Sequence, residues 1–400
     1  MFKRFRASLL GIIIVTLVIL VAFSASALDI RRVAQVARKQ GLAGVRDQVF
    51  RPPSVPWSRG RPGEHGVDPV RLEAMTRALA DRGTDAFLVV RHDTIVAEWY
   101  SPRSGPNKRH STAALAKAST ASLALLTALS DGTLGLDEPA WRHIPGWKDR
   151  DEMQRVTVRQ LASHRSGIED VDFINEEPGW KGEYLRNRDL RFELALTRAG
   201  LEFVPGEQFM YSGLGYYVLA YVLADAVRET PSSDLRSLLN DRVMSALGVP
   251  SEAWSISYGE SYDLDGMRLY ALGSGAAYTA RALARVGQLV LNEGSWDGRQ
   301  LIAPAWVDTL LTPEPGAPPG GVEPPARLGW WVNDRGFWPS LPRDAVVGVG
   351  RSQQILLVVP SLDLVVIRLG ASLAGDAVEG PAWWSVNQYL FEPIMGSLSK

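Results

Sequence analysis

Lys117 stands in an apolar stretch, Ala114-Leu-Ala-Lys117-Ala-Ser-Thr-Ala, of this 400-residue chain. An ammonium packed among alanine and leucine needs a partner, because desolvating it alone is costly. That need marks Lys117 as a site lysine rather than a solvated one. Tyr211 closes the segment Pro205-Gly-Glu-Gln-Phe-Met-Tyr211, and its place just after a Pro-Gly turn favours a site phenol over a core aromatic. His164, in front of Arg-Ser-Gly, is expected to close a turn and to be structural. Arg351 reads equally well as a site cation or a surface charge. Other chemistries are missing. The five histidines are scattered, without the His-Glu-x-x-His or paired spacing of a metal centre. No serine has glycine at both -2 and +2, as a strand-to-helix nucleophile turn requires. Gly213-Leu-Gly215 and Gly348-Val-Gly350 lack the third glycine of a dinucleotide loop.

Composition narrows the field further. With 46% hydrophobic residues the chain can bury a large core. Lys+Arg 43 against Asp+Glu 44 gives a net charge of -1, so no chain-wide basic field exists to hold nucleic acid. Cysteine is absent, which removes thiolate nucleophiles and disulfides. Residues 1–27 have the three parts of a signal peptide: Lys3, Arg4 and Arg6, an apolar run over 9–23, and Ala25-Ser26-Ala27. The alternative is an uncleaved anchor that ties the protein to the membrane. Either reading predicts export, to the periplasm or the cell exterior. Residues 28–67 read as a basic, proline-punctuated linker, and residues 68–400 as one domain.

Several elements must position Lys117 and Tyr211. Asp68 and Pro69 predict a helix start, with Gly83 past its end. Residues 86–90 and 94–100 predict a β-hairpin around His92-Asp93. A long, largely helical middle follows over 112–293. Within it Thr157-x-x-Gln160 is a capping box, and 279–291 is an amphipathic helix. Residues 313–325 predict a surface loop. Strands are expected at 328–332, 355–359 and 364–369, with a last helix over 382–390. Strands at both ends with helices between them predict one sheet completed by the two ends of the chain.

One constellation carries more weight than any of these alone. His110-Ser-Thr-Ala-Ala114-Leu-Ala-Lys117 runs into Ser130-Asp-Gly-Thr-Leu-Gly-Leu-Asp137-Glu-Pro139. In order there follow Thr157-Val-Arg-Gln-Leu-Ala-Ser-His164-Arg-Ser-Gly167, then Pro205-Gly-Glu-Gln-Phe-Met-Tyr211-Ser-Gly213. Next come Ala277-Tyr-Thr279 with its helix and the Gly294-Ser-Trp-Asp-Gly298 turn, and lastly Gln354-Ile-Leu-Leu-Val-Val-Pro360. Together these segments resemble the serine β-lactamase-like and penicillin-binding hydrolase family, in its class C-like branch, over about residues 68–395. The resemblance implies an α/β (α+β) fold: an antiparallel sheet with flanking helices plus a helical subdomain, the site between them. It implies hydrolysis of an ester, β-lactam or D-amino-acid amide through an acyl-serine, with no metal or organic cofactor. Lys117 and Tyr211 would move the proton, and backbone N–H groups at 114 and near Gln353 and Gln354 would hold the oxyanion.

The departures are as informative. The family's nucleophile, three residues before the lysine on the same helix face, is here Ala114, and a methyl group cannot attack a carbonyl. Ser111 is the alternative nucleophile, three residues earlier still. Gly213 replaces the asparagine of the Tyr-x-Asn motif. The triplet on the family's site strand reads Arg351-Ser352-Gln353, with Arg351 as the candidate cation and Gln353 and Gln354 beside it. Two functions follow as expectations. One is a hydrolase-family member that is inactive as written, a pseudoenzyme. The other is an exported, non-catalytic binding protein for cell-wall peptide or a protein partner. In both the partner is a small-molecule or peptide ligand shaped like a substrate.

Overall fold

The computed structural model describes residues 56–172, 177–312, 324–375 and 382–399. The signal segment, most of the linker and most of the 313–325 loop lie outside them. Among the described residues, fifteen strands form four sheets. The main one contains β1 (Ser58–Arg59), β2 (Thr84–Arg91), β3 (Thr94–Tyr100) and β11 to β15. Its C-terminal strands are β11 (Ala326–Arg327), β12 (Trp330–Val332), β13 (Val346–Gly350), β14 (Gln354–Val359) and β15 (Leu364–Gly370). The order is β1-β3-β2-β15-β14-β13-β12-β11. Every pairing is antiparallel except β1 on β3. The two ends of the chain meet where β15 pairs with β2, Val366 opposite Val89. This is the single sheet expected from strands at both termini.

Both faces of that sheet are covered. Along β14, Leu356 and Val358 enter one apolar core, whereas Ile355, Leu357 and Val359 enter the other. Burial on both sides explains why this strand reads as a continuous apolar run instead of alternating. Helix α1 (Pro69–Asp81) and the C-terminal helical turns Trp383–Val386, Asn387–Phe391 and Glu392–Ser397 cover the second face. Asp68 caps α1 by accepting from the N–H groups of Val70 and Arg71. The hairpin turn at His92-Asp93 puts both residues at positive φ, 48° and 55°, the geometry that tight hairpins favour.

Helix α4 (Ala280–Leu291) packs on the first face against β2, β14 and β15, and the core on that side continues into α2 (Leu123–Ser130) and α3 (Gly213–Val227), which pack on each other. Thr279 caps α4, and the capping box at Thr157 and Gln160 has both of its hydrogen bonds. The middle of the chain is less helical than its composition suggests. It also holds a small sheet of β4 (His110–Ala113), β8 (Ala276–Tyr278) and β5 (Trp254–Ser255). Two short hairpins accompany it, β6 (Tyr262–Leu264) with β7 (Met267–Leu269), and β9 (Ser295–Trp296) with β10 (Arg299–Gln300). Strands of two or three residues are too short to leave a period in the sequence. Nor does residue 328 begin a strand: Leu328 takes a φ of 45° in a turn, and β12 starts at Trp330.

Candidate active site

Ala114 sits where β4 turns into the helix of Lys117. Ala113, the last residue of β4, has φ 47° and lies at a register shift in the β4–β8 pairing. A left-handed alanine costs on the order of 1–2 kcal/mol, and such strain gathers at functional sites. After the turn, Lys117–Ser122 winds as a π-helix before α2 continues; this wide form is frequent at functional sites. The Lys117 N–H closes the first turn by donating to the Ala114 carbonyl at 2.9 Å. Two glycines let β13 approach this corner. A Cβ at Gly348 would lie 2.3 Å from Leu115 Cδ1, and one at Gly350 2.0 Å from the Thr112 carbonyl oxygen.

Lys117 is buried, 5% exposed, and no carboxylate pairs with it among the described residues. Its Nζ donates to the Gly273 carbonyl at 2.9 Å. It also faces two aromatic rings, with centroids at 4.7 Å for Tyr211 and 5.0 Å for Tyr216. Cation–π attraction of this kind offsets part of the desolvation. Tyr211 is 39% exposed, so it forms the wall between the lysine and solvent. Its ring stacks on His164 at 4.4 Å and lies parallel to Trp331 at 6.3 Å.

The Nδ1 of His164 accepts from the Ser212 N–H at 3.1 Å, which assigns the ring proton to Nε2. Burial, and then the nearby Lys117 charge, hold this imidazole well below the ordinary histidine range, so it is neutral. Its part is to hold the segment on either side of Tyr211, its ring taking Ser212 N–H and its carbonyl Met210 N–H, in keeping with a structural histidine. Ser212 caps α3 by accepting from the Gly215 N–H, and Asp170 completes that cap. Its carboxylate accepts from Gly213 N at 2.6 Å and from Leu214 N at 3.3 Å. Burial raises the Asp170 carboxyl above its usual value, opposed by those N–H groups, by Val171 N–H and by Lys117. Gly213 thus contributes backbone alone to the site.

The residues after β13 form a turn rather than the strand expected for the triplet. Gly350 pairs with Gln354, and Arg351–Gln353 make the connection, with Ser352 at φ 62° and Gln353 at φ 52°. The Gln353 side chain accepts from Leu373 N at 2.8 Å and Ser372 Oγ at 3.1 Å. Gln354 brackets Gly370, donating to its carbonyl and accepting from its N–H. Both side chains are therefore committed to the neighbouring strand end, and Arg351 is left exposed at the turn. Ser111 is exposed on β4, paired opposite Ala277, ahead of the helix. Thr120 is deep in the core, bonded to Tyr278. Lys117 gathers the Gly273 carbonyl, Tyr211 and Tyr216 of α3 around its amine, and its backbone N–H bonds the Ala114 carbonyl. The parts of Gly273, Asp170 and Trp331 had no signal in the sequence, because each depends on which remote segment lies alongside.

A strained turn into a buried Lys117 helix, the tyrosine above it and the antiparallel sheet behind define a β-lactamase/transpeptidase-like fold. The β-lactamase family matches residues 72–389, and the chain belongs to it. It is 23% identical over 344 residues to the 6-aminohexanoate-dimer hydrolase of Paenarthrobacter ureafaciens, covering 80% of this chain and 82% of that enzyme. Among solved structures, a penicillin-binding protein homologue from Caulobacter crescentus shares the fold, with a TM-score of 0.61 at 17% identity. That match covers 83% of this chain and 99% of the other. EstCE1, a hydrolase with promiscuous acyltransferase activity, superposes with a TM-score of 0.62 at 18% identity, over 83% and 98% of the two chains.

Proposed function

We propose that this β-lactamase-related chain holds a small amide, ester or peptide in its cleft without acylation. The observation that carries this is the corner at Ala114. A buried lysine, a tyrosine and a strained turn are kept, and the acceptor atom is replaced by a methyl. The 6-aminohexanoate-dimer hydrolase likeness favours a linear amide as ligand. The absence of a hydroxyl at 114 removes the covalent route, and in Ala114→Ser the lysine and tyrosine are the groups to take the new hydroxyl's proton. Nucleophile removal in such units leaves roughly 10³–10⁴-fold acceleration from binding and oxyanion contacts in the serine-protease precedent.

The test is intact mass after incubation with a fluorophosphonate, benzylpenicillin and an activated ester. The chain as written should gain no mass, and Ala114→Ser should form an adduct. An adduct on the unaltered chain at Ser111 would overturn the assignment of position 114. Failure of the folded serine variant to label would favour the second reading, a binding protein whose cleft has lost the acyl-transfer geometry altogether. Gly213, which keeps only its backbone bond to Asp170 where the family motif has asparagine, supports that reading. We further propose export directed by residues 1–27. N-terminal sequencing of envelope protein should begin at Leu28, and an intact Met1 on membrane-bound material would indicate an anchor.

A further inference from the structure

The Gly273 carbonyl that accepts from Lys117 Nζ belongs to residues 271–275, a segment outside any helix or strand that leads into β8. It lies hard against the site. A Cβ at Gly273 would come 2.8 Å from Tyr216 Cβ and 3.5 Å from Lys117 Nζ. The strand it enters pairs with β4 on one side, Ala276 opposite Ala113, and with β5 on the other. Both ends of Lys117 are therefore referred to β8, the backbone through the turn after β4 and the amine through Gly273.

What holds residues 271–275 is the pair Ser257-Tyr258, just past β5. Ser257 is fully buried, and its Oγ accepts from the Ala271 N–H at 2.9 Å. The Tyr258 N–H donates to the Gly275 carbonyl at 2.7 Å, and the Tyr258 and Ser274 hydroxyls share a hydrogen bond of 2.9 Å. The Tyr258 ring lies on Gly275, where a Cβ would meet it at 2.5 Å, and the Arg188 guanidinium stands over the ring, 4.7 Å from its centroid. The segment is thus tied on both sides of Gly273.

These bonds come at a backbone cost. Ser257 and Tyr258 are both left-handed, with φ 54° and 59°. A bulky residue in that region is an outlier that persists only where its surroundings enforce it. Glycine would relieve the strain, but it would also remove the hydroxyl on Ala271 and the ring on Gly275. Both of those groups act on the segment that holds Lys117.

We infer that Ser257 and Tyr258 are positioning residues: the strained pair grips residues 271–275 around Gly273 and so fixes the direction of the Lys117 amine. An amine that gives one N–H to a fixed carbonyl keeps its other N–H and its lone pair in set directions, and such geometry governs proton transfer. The inference deepens the reading above, in which Lys117 takes the proton of a serine at 114, and its effect on rate rests on that reading.

NMR of the full chain, with lysine isotope-labelled at Cε, tests it, Lys117→Met identifying the Lys117 line. The amine faces the Tyr211 and Tyr216 rings, whose ring currents should set this line apart from those of exposed lysines. In Ser257→Gly and in Tyr258→Gly the line should move toward the exposed-lysine position. In the Ala114→Ser background the same two changes should slow fluorophosphonate labelling by about 10–10²-fold, the effect of a displaced group. Should a glycine variant not fold, Tyr258→Phe keeps the ring, loses only the bond to Ser274, and should move the line in the same sense. A line that stays in place in the folded variants would overturn the inference, and so would a moved line with an unchanged labelling rate. If Ala114→Ser does not label at all, the acyl-transfer reading fails by itself, and the line in the unaltered chain and its glycine variants still decides whether the pair positions Lys117.

Discussion

Lys117 Nζ and the Tyr211 ring stand 4.7 Å apart, centroid to nitrogen, with the Gly273 carbonyl as the lysine's hydrogen-bond acceptor. The amine is thus held by a neutral oxygen and aromatic faces instead of an acid. The two residues are 94 positions apart in the chain, and the cap of α3 together with His164 brings them into contact.

Replacing Lys117 in the Ala114→Ser background separates chemistry from packing. Lys117→Met should slow fluorophosphonate labelling by roughly 10²–10⁴-fold, the usual share of a positioned acid–base group. Stability should hold or rise, because an apolar chain of similar length replaces a buried charge. Labelling rates from a time course and urea midpoints on the same samples check both parts.

Tyr211→Phe keeps the ring over Lys117 and the stack on His164 and removes only the hydroxyl. In the Ala114→Ser background it should slow labelling while leaving the urea midpoint within about 0.5 kcal/mol of the parent. A large stability loss with unchanged labelling would make Tyr211 a packing residue.

Gly350 is where β13 touches the site corner, and a methyl there meets the Thr112 carbonyl oxygen at 2.0 Å. Gly350→Ala should destabilise by about 1–3 kcal/mol, as overpacking does, and should weaken labelling of Ala114→Ser by displacing the turn before residue 114. Gly146→Ala, with no neighbour within 4 Å of the new carbon, is the control and should leave both unchanged. The measurement is the denaturation midpoint with an unchanged slope.

His164 makes stability depend on pH in a window that carboxylates do not dominate. Its folded value is depressed by burial and by Lys117, so the unfolded chain binds a proton that the folded chain refuses. Stability therefore falls as pH drops below the unfolded histidine value of about 6.5, by up to about 1.4 kcal/mol per pH unit. His110, lowered by burial as well, adds to the same slope. His164→Asn, which tolerates the φ of 57° found there, should reduce the slope between pH 6.5 and 5. An equal slope in the variant would show that His164 is charged in the folded state.

Much of the fold was legible because its signals are local. The Asp68 cap, the Thr157–Gln160 box, the His92-Asp93 turn and the α4 pattern each lie within a few residues, and all are present. The apolar runs of β14 and β15 read as strands of one sheet, and only the structure shows that both faces of β14 are covered. Strand β13 was hidden, since Val346–Gly350 carries two glycines whose purpose is close approach to Leu115 and the Thr112 carbonyl. The short strands β4, β5 and β8 were hidden too, each being fixed by its partner more than by its own composition.

The sequence by itself determined the family, the methyl at position 114, and the presence of Lys117 and Tyr211 in the matching segments. These are matters of residue identity and order. Only the tertiary structure decided what surrounds them: Gly273 O and two aromatic rings on Lys117, Asp170 on the end of α3, and Ser257 and Tyr258 on the segment that carries Gly273. Gln353 and Gln354 show the difference most clearly. Their place in the chain assigns them to the cleft, but their amides are bonded to residues 370–373. The physical reason is that a hydrogen bond needs its partner within about 3 Å, and which remote backbone arrives there is set by the packing of β15 against β14, not by anything written near residue 353.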